Sequence, residues 1–232
     1  MSGSSFLRQA LPSTRTLTEE SFRTMLDRYR QVIAKPVGSY GGSGVMKVTM
    51  NGDGSCSVHY GSRKKVLSDA GAAYSYIRSK IGKTRYLVQR CIPLARIGGR
   101  PFDLRVMVQR TGGSPWQVTG KLAKVAGSGY IVTNIRRSKG YVLPARTAIL
   151  RSNLHGSASR ILKQVDRVSL SAARRLHRVY RWLRTVGMDI GIDKKGKVWI
   201  IEGNFQPDLT LFLKLKDKSY YRRIKAMHNK RG

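Results

Sequence analysis

The sequence predicts an α+β fold, and three observations carry that prediction. Apolar residues recur at helical spacing in several separate segments whose ends carry caps or glycines. Short alternating or apolar runs flank turn signals, above all Asn51-Gly52-Asp53-Gly54, so strands are expected to pair as hairpins. The 232 residues, 41% of them hydrophobic, suffice for one large domain or two small lobes with real cores.

The elements follow in order. Residues 1–15 are polar, contain Pro12 and read as a loose leader. Thr18 before Glu19 and Glu20 is an N-cap with acids in the first turn. Phe22, Met25, Leu26 and Tyr29 then keep helical spacing to about Arg30. Residues 31–35 form a short strand stopped by Pro36. A glycine-rich loop over 38–44 leads into strands at 45–50 and 55–60. Residues 68–81 form a helix capped by Ser68 and closed by Gly82. Strands are expected at 86–92, 102–109 and 116–125, with loops over 93–101, 127–129 and 134–140. Ile161, Val165, Val168, Ala172, Leu176, Val179, Leu183 and Val186 then mark one long amphipathic helix or two pieces end to end. Ser169 and Ser171 are the expected interruption and Gly187 the stop. Strands at 188–192 and 198–202 join through Lys194-Lys195-Gly196, and a basic helical tail follows from Lys214.

Composition excludes several classes. No apolar run approaches the roughly 18–20 residues that span a bilayer, so no membrane partner is expected. Met1-Ser2-Gly3-Ser4-Ser5 lacks the apolar stretch of a secretory signal, and two cysteines make no disulfide framework. A reducing, cytoplasmic setting is expected. Forty-five Lys and Arg against 12 Asp and Glu give a net charge of +33. That balance invites non-specific nucleic-acid binding. No RNP, zinc-finger or basic-zipper pattern points to sequence-specific reading.

Three motifs could carry chemistry. Gly41, Gly42 and Gly44, after Lys35, let backbone amides approach an anion while the lysine adds a point charge. A flexible hairpin connection explains that loop equally well. Asp189 and Glu202 fall on two strands joined by a tight turn, and Asn204 shares a face with Glu202. Two carboxylates and an amide oxygen form a hard-cation set suited to Mg2+ carrying a phosphate chain. Only 12 acids occur in the chain, which makes this grouping conspicuous. Phe102-Asp103-Leu104-Arg105 puts Asp103 and Arg105 on one strand face, as an ion pair or as an arginine for phosphate or carboxylate. His59, His155, His177 and His228 show no ligand spacing. Arg174, Arg175, Arg178, Arg181 and Arg184 lie mostly opposite the apolar stripe and read as part of a polyanion-facing surface.

Taken together and in order, these residues resemble an ATP-grasp domain over about residues 10–215. The set also includes Gln89-Arg90-Cys91-Ile92, Thr133-Asn134 and Pro207, and it is most similar to the YheC/YheD-type endospore coat-associated proteins of spore-forming bacteria. The resemblance implies an ATP-grasp fold of two α+β lobes holding ATP, with a leader at 1–15, an N-lobe at 16–95 and a C-lobe at 96–232. It also implies that the usual preceding pre-ATP-grasp domain is lacking, so that a partner chain would supply it. By the same resemblance, Lys35 contacts ATP phosphates, and Gly41, Gly42, Ser43 and Gly44 close over them. Gln89, Arg90 and Ile92 belong to the adenine hinge, and Asp189, Glu202 and Asn204 hold Mg2+. Arg105 and Lys124 stabilise a transferred phosphoryl group. The family usually carries a second, upstream lysine; here that stretch is Pro12-Ser13-Thr14-Arg15. The expected activity is a carboxylate–amine ligase working through an acyl-phosphate on an anionic peptide, polymer or other carboxylate. The alternative is a non-catalytic or weakly active scaffold that binds a polyanion, as a spore-coat protein or a nucleic-acid binder.

Overall fold

A computed structural model of the chain describes residues 2–38, 42–131 and 133–229. It divides into two compact units, each discontinuous in sequence. Helix α1 (Ser2–Gln9) opens the chain and belongs to the second unit.

The first unit contains residues 12–92 and 126–139. Its sheet runs β1 (Thr14–Thr16), β6 (Tyr86–Arg90), β2 (Gln31–Pro36), β3 (Met46–Met50), β4 (Cys56–Tyr60) and β5 (Arg63–Leu67), antiparallel throughout. Helices α2 (Glu19–Tyr29) and α3 (Ala70–Ile81) share one core with the sheet. Thr18 and Ser21 form a reciprocal capping box at the start of α2, with bonds of 3.0 and 3.1 Å. Arg30 turns left-handed at φ 59° and ends that helix. Phe22, Leu26, Val32, Ala34, Val48, Ile77 and Val88 are fully buried between helices and sheet. Period two sends the alternate strand residues to the opposite face.

Several expectations change here. The stretch expected as a loose leader holds α1 and β1, because Thr14 to Thr16 pair with Gln89 to Leu87, a contact too distant in sequence for local pattern to reveal. Strand β5 was not anticipated, because Arg63, Lys64 and Lys65 carry no apolar alternation; they are the charged edge of the sheet. The α3 cap is Asp69, which accepts from the Ala72 amide at 2.9 Å, and Ser68 instead bonds to Asp69. Residues 126–139 fold with the first unit, and within them α4 (Ile135–Ser138) stands where a loop was expected. A Cβ on Gly127 would land on the Ser138 carbonyl oxygen. Gly127→Ala should therefore destabilise the protein by about 1–3 kcal/mol, read from the urea midpoint.

The second unit contains residues 1–11, 93–125 and 140–232. Its sheet orders β10 (Tyr141–Pro144), β9 (Gln117–Val125), β8 (Arg100–Gln109), β11 (Thr185–Ile192) and β12 (Val198–Asn204), with β7 (Arg96–Ile97) paired to β8. One face packs on α1, α5 (Ala145–Leu150) and α6 (Ala158–Val179), around Phe102, Leu104, Val106, Val165, Val168 and Ile190. A 3-10 turn (Thr210–Lys214) and α7 (Ser219–Asn229) cover part of the other face through Phe212, Leu215 and Ile224 against Met107 and Leu122.

Helix α6 is one continuous helix, the first of the two alternatives, unbroken at Ser169 and Ser171, and it ends at Val179 rather than at Gly187. Leu183 and Val186 keep the helical spacing by coincidence: Leu183 is buried in a turn and Val186 in β11. All eight residues of β11 are buried, so no alternation marked where the strand begins. Gly187 sits inside it, where a Cβ would approach Pro207 Cβ to 2.6 Å. The turn between β11 and β12 is fastened by Asp193, whose carboxylate accepts from the Lys195 and Lys197 amides and from the Trp199 indole at 2.9–3.0 Å.

Candidate functional site

Each unit carries a polar patch on one sheet face. In the first unit, Lys35 alternates away from buried Ala34. Its ammonium donates to Gln89 Oε1 at 3.1 Å, and Gln89 Nε2 donates to Thr14 Oγ1 at 2.8 Å. The two bonds fix the orientation of the Gln89 amide and hold Lys35 at the end of β2. The Gln89 side chain is thus engaged with Lys35, leaving the backbone for any hinge role. Cross-strand register extends the row through Ile33, Lys47, His59 and Lys64. Burial, reinforced by Lys47 and Lys64, holds the His59 imidazole below its ordinary value despite a bond with the Gly129 backbone.

Gly41 lies outside the described residues. Gly42 and Gly44 both have positive φ, 72° and 74°, and Tyr86 Oη donates to the Gly44 carbonyl at 3.1 Å. Arg90 sits over the Tyr29 ring at 5.2 Å, and the Cys91 amide donates to Gln31 O at 3.1 Å; Ile92 is half-buried. Arg15 is exposed and in register with Val88, so it alternates away from Thr14 and Gln89.

In the second unit, four strands bring their charges together. Asp103 is in register with Lys124, Arg105 with Asp189, Asp189 with Glu202, and Gly187 with Asn204. Arg105 Nε donates to Asp189 Oδ1 at 2.7 Å and Nη2 to Oδ2 at 3.3 Å. Lys124 Nζ lies 3.2 Å from Asp103 Oδ1 and 3.1 Å from Asp189 Oδ2. All four side chains are buried. Two cations and two carboxylates therefore form an interleaved, formally neutral square. Asp103, seen in the sequence as a partner for Arg105, instead faces Lys124 across the β8–β9 pair.

Burial alone would push the Asp189 carboxyl up; Lys124 and Arg105 outweigh it and hold the group below its ordinary value. Burial opposes the charge of Lys124, and Asp103 and Asp189 override it, so that ammonium is raised. Arg105 is likewise raised by Asp189, Asp103 and Glu202 against burial. Because folded Asp189 titrates below the unfolded residue, its stabilisation is present at neutral pH. It fades as the pH falls through about 3.9 toward the folded value. The raised Lys124 persists through neutrality and loses its share only above about pH 10.4. The urea midpoint should therefore drop between pH 7 and pH 3, and drop less in Asp189→Asn.

Glu202 is exposed, and Asn204 Nδ2 donates to Gly187 O at 3.4 Å, leaving the amide carbonyl oxygen as a donor to a cation. Asp189 accepts three of the about four contacts an ionised carboxylate offers. Among the described residues no group of three or more His, Cys, Asp and Glu could hold a metal ion. The available oxygens come from two carboxylates and one amide. That set fits Mg2+, which keeps waters and completes its shell with substrate phosphate, using one or two protein carboxylates.

Sequence reading missed Lys47, and it set Asp103 beside Arg105 rather than Lys124. Period-two alternation could have placed Lys47 beside Lys35, but only the register shows which strands are neighbours.

The model of the family described as YheC/D-like ATP-grasp matches residues 1–229. The endospore coat-associated protein YheD of Bacillus subtilis (strain 168) is 26% identical over 190 residues, which is 79% of this chain and 41% of that protein. Among solved structures, the ATP-grasp ligase PsnB complexed with minimal precursor, Mg and ADP superposes with a TM-score of 0.54 at 16% identity, over 98% of this chain and 56% of that one. PsnB with a phosphomimetic variant of the precursor gives 0.55 at 17% identity, over 97% and 56%. The chain spans less than two thirds of the length of these relatives. The structural likeness shows an ATP-grasp fold, as expected.

Proposed function

The chain belongs to the YheC/D-like ATP-grasp family, and from that premise we propose that it is an ATP- and Mg2+-dependent ligase joining a carboxylate to an amine. The observation that carries the reading is the register-locked set of Arg105, Asp189, Glu202 and Asn204 on one face of three neighbouring strands. In this reading Glu202 and Asn204 hold the metal, with Asp189 beside them. Mg2+ supplies charge neutralisation on the phosphates and orients the terminal phosphoryl group. Lys35, held by Gln89, contacts phosphate, and Gly41, Gly42, Ser43 and Gly44 cover it with backbone amides. The backbone of Gln89, Arg90 and Ile92 meets the adenine.

Arg105 gives Nε and Nη2 to Asp189 and keeps Nη1 for a phosphoryl oxygen. Lys124, buried between two carboxylates, is a positioning residue for Asp189 rather than a direct phosphate contact. The substrate carboxylate oxygen attacks the terminal phosphorus and ADP leaves. The amine nitrogen then attacks the acyl carbon, inorganic phosphate leaves, and the amine gives up a proton. Positioning and fixed charge supply most of such catalysis.

The +33 charge supports an anionic peptide or polymer as substrate. PsnB has been solved in complex with a precursor peptide, which supports the peptide class. Two cysteines, too few for a disulfide framework, support a reducing setting, the cytoplasm or forespore. No helix of the described residues is long and apolar enough to cross a membrane.

Calorimetry with Mg-ATP, followed by ADP release against amino acids, acidic peptides and anionic polymers, tests the reading. Mg-dependent binding with acceptor-dependent ADP release is expected. Absence of Mg-ATP binding would overturn it. Binding without turnover across the panel would favour the non-catalytic scaffold, a reading supported by the prior pairing of Arg105 and Lys124 with carboxylates.

A further inference from the structure

We propose that the end of the second unit where α6 gives way to β11 binds single-stranded nucleic acid, on a surface separate from the Asp189–Glu202 patch. Tyr180, Trp182 and Phe205 gather there edge to face, with ring centroids 4.9, 5.7 and 6.1 Å apart. Trp182 is 64% exposed and Tyr180 39%, and neighbouring Val179 is also exposed. Single exposed apolar residues are ordinary, but a contiguous cluster of rings marks a contact surface. Phe205 packs toward the α6 side of the sheet, whereas Glu202 alternates to the other.

The charge around the rings has one sign. Residues 167–188 contain six arginines and neither Asp nor Glu. Arg174, Arg175, Arg178 and Arg181 are exposed. Arg174 and Arg178 stand four apart on α6, and Arg175 and Arg178 three apart, so like charges neighbour each other in a stretch of sequence that holds no acid. Arg184 Nη1 donates to the Arg181 and Leu183 carbonyls at 2.7 and 3.2 Å, fixing the turn that presents Trp182. Arg110 Nη1 lies 3.1 Å from His177 Nε2 and extends the basic surface.

An anionic occupant answers the guanidinium groups, and its second feature must answer the rings. An acidic peptide satisfies the arginines but leaves the aromatics uncovered. A nucleotide strand satisfies both, because every residue carries a phosphate and a flat base. Guanidinium forks grip phosphate and stack on bases, and aromatic platforms accept any base. Binding is therefore sequence-tolerant and salt-dependent.

The test uses the intact chain and a labelled oligothymidylate of about 15 nucleotides, a length that covers a typical single-strand site. Anisotropy and intrinsic fluorescence are read together. Trp116 and Trp199 are only 7% and 4% exposed, so quenching by stacked bases reports Trp182. We expect quenching on binding, and affinity falling by about 20-fold from about 50 to 200 mM salt if about three phosphates are neutralised. Trp182→Ala should weaken binding about 10-fold and abolish the quench. Arg178→Glu should weaken it further, and both variants should keep the native circular dichroism spectrum. Glu202→Gln should bind the oligonucleotide normally, so failure of the ligase reading and failure of this one are distinguishable. Equal affinity in wild type, Trp182→Ala and Arg178→Glu would overturn the assignment. So would an absence of binding, or polyglutamate quenching Trp182 and displacing the oligonucleotide at equal charge.

Discussion

Lys124→Met should destabilise the protein by about 3–5 kcal/mol, the usual consequence of removing one partner from a buried ion pair. Lys124 lies 3.2 Å from Asp103 Oδ1 and 3.1 Å from Asp189 Oδ2, so it serves both carboxylates. Methionine fills the same volume, so the loss is electrostatic rather than a cavity. Two carboxylates would then share Arg105 in a buried setting, and one of them would take up a proton. Equilibrium urea denaturation at pH 7 checks the magnitude. Pairing the change with Asp103→Asn should recover part of the loss, because one of the two buried carboxylates is removed with their shared lysine. An unchanged midpoint in Lys124→Met would mean that the square of charges contributes nothing to stability.

Glu202→Gln should lower Mg-dependent ATP turnover by about 100-fold or more, while stability stays within about 0.5 kcal/mol of wild type. The side chain is exposed, so its replacement opens no cavity. Its in-register partner Asp189 is already tied to Arg105 and Lys124 and cannot turn away to replace it. Loss of turnover together with loss of the native fold would point to a structural role. Retained turnover would remove Glu202 from the metal site. Titrating Mg2+ at fixed ATP separates weakened metal binding from weakened nucleotide binding.

Much of this was legible in the sequence, for definite reasons. The Lys194-Lys195-Gly196 turn set β11 against β12, so the approach of Asp189 and Glu202 followed from spacing alone. Thr18 and the apolar period of α2 were equally readable. What was hidden depends on contacts distant in sequence. The Asp103–Lys124 pair needs the β8–β9 register, and the Arg105–Asp189 pair needs β8 beside β11. The Lys35–Gln89–Thr14 chain spans three strands, one of which had been read as leader. The end of α6 was misplaced because Leu183 and Val186 extended its period into a turn and a fully buried strand.

The second unit begins before the first and is completed after it. Helix α1 packs on the core around α6, Ala10 is buried there, and the Ala10 carbonyl accepts from the Ile200 amide at 2.8 Å. During synthesis residues 2–11 therefore leave the ribosome well before β12 and wait until then without their native neighbours. The first unit also closes only when residues 126–139 arrive. Vectorial folding would thus assemble the hairpin sheet of the first unit early and dock α1 last. A truncation after residue 139 leaves that sheet its full complement of strands but strands α1 as an amphipathic segment with no core to join, a natural point for chaperone capture.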